Sequence, residues 1–208
     1  LAWDAMHNLP GALRDDLAAG WDVAGLEPQA RLVAGDGTRK FLFRLRDGHT
    51  VESVIIPMEN HSTFCISSQV GCAMACRFCA TARGGLVRSL SAGEIVEQVQ
   101  RLAQDLRDDP FPQHGDRGYN VVFMGMGEPL DNFASVHASL RIFTDPAGLG
   151  LSTRRIQIST SAPPHGLAHL ETLEIPVGLT ISLGGATDVA RRQVMPVSGK
   201  ASVAEALD

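Results

Sequence analysis

Cys65-Ile-Ser-Ser-Gln-Val-Gly-Cys72-Ala-Met-Ala-Cys76-Arg-Phe-Cys79 holds all four cysteines of the 208-residue chain. The last three, separated by three and then two residues, supply three thiolates and no obvious fourth ligand. Thiolates select soft or redox-active centres, iron-sulfur clusters and zinc among them. A 4Fe-4S cube held at three corners leaves one iron open. A structural zinc site needs four ligands and would have to recruit Cys65 or His61. On spacing alone both remain open.

Downstream of this run the hydrophobic pattern alternates strand, loop and helix. Ser91 and Glu94 form a capping-box pair ahead of Ile95, Val96, Val99, Leu102, Ala103 and Leu106, which recur at helical spacing. Residues 119–124 read as a short apolar strand ending in glycines, and 136–143 as a helix. Residues 155–160 and 177–183 read as further strands, with a helix at about 166–173. Such alternation predicts an α/β fold with a parallel sheet and helices outside it. Reactive groups then collect at the carboxyl ends of the strands. Each motif falls at such an end: 72–79, 125–129, 159–161 and 182–185.

Upstream, residues 1–60 read differently. A short helix at 9–17 enters through Pro10, and a strand at 40–46 places Phe41, Phe43 and Leu45 on one face. Asp47-Gly48 then turns a hairpin into a strand at 50–56. The expected division is a small α+β module at 1–60 and a core at 61–208.

Composition narrows the function. A hydrophobic content of 44% supports a buried core, and no apolar run approaches the roughly 20 residues of a membrane span. The amino end carries no export-signal pattern, and tightly clustered cysteines argue against a disulfide framework, so a cytoplasmic protein without a membrane partner is expected. A net charge of −5 argues against general affinity for phosphate backbones. The pairs Arg39-Lys40, Arg154-Arg155 and Arg191-Arg192 could still build a local basic face, while the acidic residues at 105–109 read as solvated. The glycine turn 125–129 has neither a dinucleotide-binding nor a P-loop pattern, so its missing side chains suggest close approach to some other ligand. Neither an H-E-x-x-H pair nor a G-x-S-x-G elbow is present.

Taken together, Cys72-x-x-x-Cys76-x-x-Cys79, the run 65–72, Met-Gly-Met-Gly-Glu-Pro at 124–129 and Arg-Arg-Ile-Gln-Ile-Ser-Thr-Ser at 154–161 resemble the RlmN and Cfr family of radical S-adenosylmethionine (SAM) methyltransferases. The resemblance runs from about Asp36 to Lys200. It implies a partial radical SAM (β/α) barrel of about four of six units behind the amino-terminal module. It further implies a 4Fe-4S cluster on Cys72, Cys76 and Cys79 and SAM as second cofactor. Gly127 and Glu128 would meet the SAM amino group, and Ser159, Ser182 and Leu183 its adenosyl and ribose part. By the same resemblance Cys65 would resolve a covalent protein–RNA intermediate and Glu52 would remove the adenosine C2 proton. The implied partners are 23S ribosomal RNA, transfer RNA for some members, and an electron donor such as flavodoxin or ferredoxin.

Two departures stand out. The family has Ser-Leu-His-Ala where this chain has Ser182-Leu-Gly-Gly185, so a histidine contact is missing at Gly184. The family also ends in a tail bearing a methyl-carrying cysteine, and all four cysteines here are already assigned. The expectation is an excerpt or shortened relative of such a methyltransferase. The alternatives are a radical SAM enzyme that abstracts hydrogen directly, or an inactive cluster- or zinc-binding remnant.

Overall fold

Alternation at 39–45 becomes a strand with Phe41, Phe43 and Leu45 all turned into the core. This computed structural model describes residues 3–112 and 118–207. Helix α1 (Gly11–Gly20) precedes an antiparallel meander of β1 (Glu27–Val33), β2 (Arg39–Arg44) and β3 (Thr50–Pro57). β1 is a strand the alternation did not announce, because its residues are almost all exposed.

The meander continues without a break. β4 (Ser62–Cys65) pairs antiparallel with β3, so a single sheet crosses the boundary expected at 60/61. A two-stranded ribbon of β5 (Gln69–Gly71) and β6 (Leu86–Ser89) then closes the neck of the cysteine loop, and α2 (Ala92–Asp108) follows. Next come β7 (Tyr119–Phe123), α3 (Phe133–Thr144), β8 (Ile156–Thr160), α4 (Pro164–Leu170) and β9 (Gly178–Ile181). The main sheet has the order β1-β2-β3-β4-β7-β8-β9, and its last four strands run parallel. This is the expected α/β architecture. α5 (Asp188–Val194) and α6 (Val203–Leu207) complete the described chain.

Helix α2 shows how sequence dictates packing. Ser91 accepts from the Glu94 backbone while Glu94 reaches back to the Ser91 N–H, so two of the amide donors at the helix start are satisfied reciprocally. Its apolar stripe buries Ile95, Val99 and Leu102 completely, each contributing about 1.5–3 kcal/mol by removal from water. Gln98 lies on the same face and would be a liability alone. It accepts from Ser53 Oγ and the Ser67 N–H and donates to the Ser67 carbonyl, binding helix, meander and cysteine-loop neck together.

The basic pairs do not form one solvated face. Arg39 is buried against Asp105, with its guanidinium 4.0 Å over the Phe111 ring, while Lys40 points outward. Asp105 and Asp109 also take Arg31, so the acidic helix end is an ion-pair cluster and not merely solvated surface. Arg191 is wholly buried and Arg192 exposed.

Candidate active site

Strand pairing places Lys40, Val54, Cys65, Val122, Gln157 and Gly178 in one row across six strands. Glu52, two residues before Val54, and Ser159, two residues after Gln157, belong to the same face. Glu52 lies level with the carboxyl end of β4, since the Ser67 hydroxyl donates to its carbonyl at 2.6 Å. Its half-exposed carboxylate accepts from Lys40 Nζ at 3.0 Å. The face hollows into a concavity of about 370 Å³ lined by Cys65, Asn120, Met124, Arg154 and Gln157, among others.

Burial pushes the Cys65 thiol up to about 11, against a weaker opposing hydrogen bond from the Met124 backbone. The thiolate is the reactive form. At pH 8 Cys65 should therefore react with iodoacetamide about 100-fold more slowly than a thiol of ordinary pKa, gaining about tenfold per pH unit until near 11. Peptide-resolved mass spectrometry of the folded protein measures this, and a rate equal to that of the denatured chain would remove the burial. The sign for stability follows: the unfolded thiol ionises first as pH rises, so Cys65 withdraws stability between about pH 9 and 11.

The cysteine loop leaves the same rim. Gly71 opens it at φ +76°, and a Cβ there would stand 2.0 Å from the Gly85 carbonyl oxygen, which accepts from the Cys72 N–H. Ala75 takes a left-handed φ of 53°, and the Cys79 N–H donates to the Cys76 carbonyl. Cys72 is buried, while Cys76 and Cys79 are half-buried. Burial, then the charge of Glu128 and the neighbouring thiols, pushes Cys72 up to about 11, opposed by a hydrogen bond from the Met74 N–H. Cys76 is raised by burial and then by Cys79 and Glu128, with Arg191 opposing. Such mutually repelling thiols become thiolates when a metal centre supplies the counter-charge.

The glycine turn meets the protein itself. A Cβ on Gly125 would lie 2.7 Å from the Ile66 carbonyl oxygen, and one on Gly127, at φ +102°, 2.6 Å from Gln69 Cβ. The absent side chains thus let the turn dock on the neck of the cysteine loop. Ser68 and Gln69 N–H groups donate to the Met126 carbonyl, and the Glu128 N–H donates to Gln69 Oε1. The Glu128 carboxylate is buried and spanned by four donors: the Leu130 N–H and Thr160 hydroxyl on one oxygen, the Ser161 N–H and hydroxyl on the other. The side chain is a clamp between strand ends.

Ser159 is half-buried at the end of β8 and pairs with Thr180. Ser182 and Leu183 follow β9, and both of their carbonyls are taken by Arg191 Nη1. Gly184 turns at φ +69°, and a Cβ there would sit 2.3 Å from Met195 Sδ. In this chain the space a side chain would enter is already filled. Thr160, Ser161, Arg191 and Ser198 were not marked by the sequence as one network; only Thr160 and Ser161 sat inside a motif.

The Radical SAM superfamily pattern matches residues 66–208. The chain belongs to the radical SAM superfamily. It is 42% identical over 210 residues to the dual-specificity RNA methyltransferase RlmN of Sulfurovum sp. (strain NBC37-1), covering 95% of this chain and 57% of that protein. Against the probable RlmN of Mycobacterium ulcerans (strain Agy99) the identity is 45% over 207 residues, covering 98% and 56%. The crystal structure of a radical SAM methyltransferase from Sphaerobacter thermophilus superposes with a TM-score of 0.90 at 36% identity, covering all of this chain and 60% of that one. The chain thus spans a little over half the length of these relatives.

The superfamily's cofactors are a 4Fe-4S cluster and SAM, and the residues fit them. A cube takes its thiolates at separate corners, as three cysteines spread along one closed loop can supply. No helix among the described residues is long and apolar enough to cross a membrane.

Proposed function

We propose that this chain carries the radical-generating core of an RlmN-type methyltransferase that methylates C2 of adenosine in 23S ribosomal RNA and transfer RNA. The observation that supports the reading is that Glu52 and Cys65 share one sheet face on adjacent strands, at the rim from which the cysteine loop departs. A radical SAM enzyme that abstracts hydrogen directly requires neither a resolving thiol nor a second carboxylate beside it.

A reduced 4Fe-4S cluster and SAM held here would supply a 5′-deoxyadenosyl radical. The chain's own residues do the rest. Cys72, Cys76 and Cys79 hold the cluster. The backbone of Gly127 and Glu128 and the rim residues Ser159, Ser182 and Leu183 orient SAM. Glu52 takes the C2 proton, its carboxylate oriented by Lys40 Nζ at 3.0 Å. Cys65, kept as a neutral thiol by burial, is the thiol that resolves the covalent protein–RNA intermediate. Residues 1–60 serve as an accessory module to the core, the reductant is a flavodoxin or ferredoxin, and the compartment is the cytoplasm.

Anaerobic reconstitution of the protein with iron and sulfide, reduction with SAM, and mass spectrometry of nucleosides from ribosomal and transfer RNA test this. We expect 5′-deoxyadenosine, and 2-methyladenosine once the whole protein is used. Formation of 5′-deoxyadenosine with no methylated adenosine from the whole protein overturns the RNA reading and leaves the superfamily chemistry standing.

A further inference from the structure

Arg191 is the largest fully buried side chain in the described protein, and no carboxylate pairs with it among the ion pairs of the described residues. Buried arginines ordinarily carry a partner anion, because a lone buried charge is strongly destabilising. Here the guanidinium donates only to neutral acceptors. Nη1 reaches the Ser182 and Leu183 carbonyls at 3.0 and 2.7 Å, and Nη2 those of Ser161 and Ser198 at 2.8 and 3.4 Å. Nε is buried without a partner. A cation so placed is incomplete until an anion stands near it.

The Asp188 carboxylate lies on the same helix but is engaged by the Val203 N–H and forms no ion pair with Arg191, and the cysteine loop packs against that helix too. The Arg77 N–H donates to the Val194 carbonyl at 2.9 Å, docking the loop on the end of α5. Met74, between Cys72 and Cys76, is buried with its sulfur 3.3 Å from Ser198 Oγ. Ser198 also offers its carbonyl to Arg191 Nη2, so one residue joins the cysteine loop to the guanidinium. Two glycines make this approach possible, since a Cβ on Gly185 would lie 2.7 Å from the Arg191 backbone nitrogen and one on Gly184 would strike Met195.

We propose that Arg191 is a positioning residue for the cofactors: its fork fixes the strand ends after β8 and β9, and its positive charge, held in no ion pair among the described residues, balances the thiolate-bound cluster and eases the cluster's reduction. This rests on the superfamily assignment and not on which RNA is modified. In the Ser182-Leu-Gly-Gly185 turn, which has no histidine, this fork is what holds the rim.

Arg191→Gln keeps donors but removes the charge, and Arg191→Lys keeps the charge but loses the fork. Redox titration of the reconstituted protein, followed by electron paramagnetic resonance, reads the charge, and SAM affinity by equilibrium dialysis reads the fork. We expect Arg191→Gln to lower the equilibrium constant for one-electron reduction about tenfold, a shift of about 59 mV to more negative potential. Arg191→Lys should stay within about threefold of wild type in potential while binding SAM about tenfold more weakly. A folded Arg191→Gln protein with an unchanged potential, or equal shifts in both variants, overturns the proposal. If neither variant folds, Asp188→Asn carries the test: its carboxylate faces Arg191 electrostatically, so its removal should make reduction easier, and an unmoved or more negative potential overturns the charge role.

Discussion

Cys79→Ser should leave a folded protein that takes up less than about a tenth of the wild-type cluster iron and forms 5′-deoxyadenosine at least about 1000-fold more slowly, because an alkoxide is a poor ligand for a soft iron centre where a thiolate is a good one. The fold should barely notice. Cys79 is half-buried, its backbone N–H keeps the Cys76 carbonyl as acceptor, and the change is one atom. Substitutions of this kind alter stability by about 0.5 kcal/mol or less, or roughly 1–2 °C in Tm for a chain of this size. Iron and sulfide analysis beside a melting curve of the cluster-free protein checks both halves. Full cluster content in Cys79→Ser would sink the assignment of the three ligands, and a collapse in Tm would mean the loop is structural before it is a ligand set.

Much of this architecture was legible because it is written in local chemistry. Ser91 and Glu94 announce the start of α2 by hydrogen bonds made within four residues, and Phe41, Phe43 and Leu45 announce a strand by period alone. What stayed illegible depends on distant partners. β1 is a strand because β2 offers it an edge, and its exposed residues carry no alternation to read. Arg191 and Arg192 look identical in sequence, yet the roughly 100° step between neighbours on α5 sends the first into the interior and the second into solvent. The glycines at 125 and 127 were readable as points of close approach, but only the fold reveals that what approaches is the neck of the cysteine loop. For the site, the thiol spacing was plain, whereas the network joining Glu128, Ser161, Ser198 and Arg191 unites residues up to 70 positions apart with no spacing to betray it.

Glu128 lies at the centre of that network, and Glu128→Gln tests whether it clamps the fold or only serves the cofactor. Each carboxylate oxygen faces one backbone N–H, that of Leu130 on Oε1 and that of Ser161 on Oε2. Hydroxyls can rotate to become acceptors, but backbone amides cannot. Whichever way the glutamine amide is turned, its NH₂ must therefore confront one of the two N–H groups in a buried site. One hydrogen bond is lost and one buried donor is stranded, a penalty of about 3 kcal/mol, or about 6–12 °C in Tm. The same displacement separates the turn after β7 from the end of β8, so SAM affinity should fall at least about tenfold with it. Chemical denaturation and SAM binding on the same preparation make the measurement. A loss of affinity at unchanged stability would return Glu128 to a purely ligand-facing role, and unchanged stability and affinity together would remove the clamp. Cys79→Ser and Glu128→Gln thus separate two halves of one rim: the cysteine loop can lose its chemistry and stay folded, whereas the carboxylate beneath it cannot change by one atom without loosening the strand ends on which both cofactors depend.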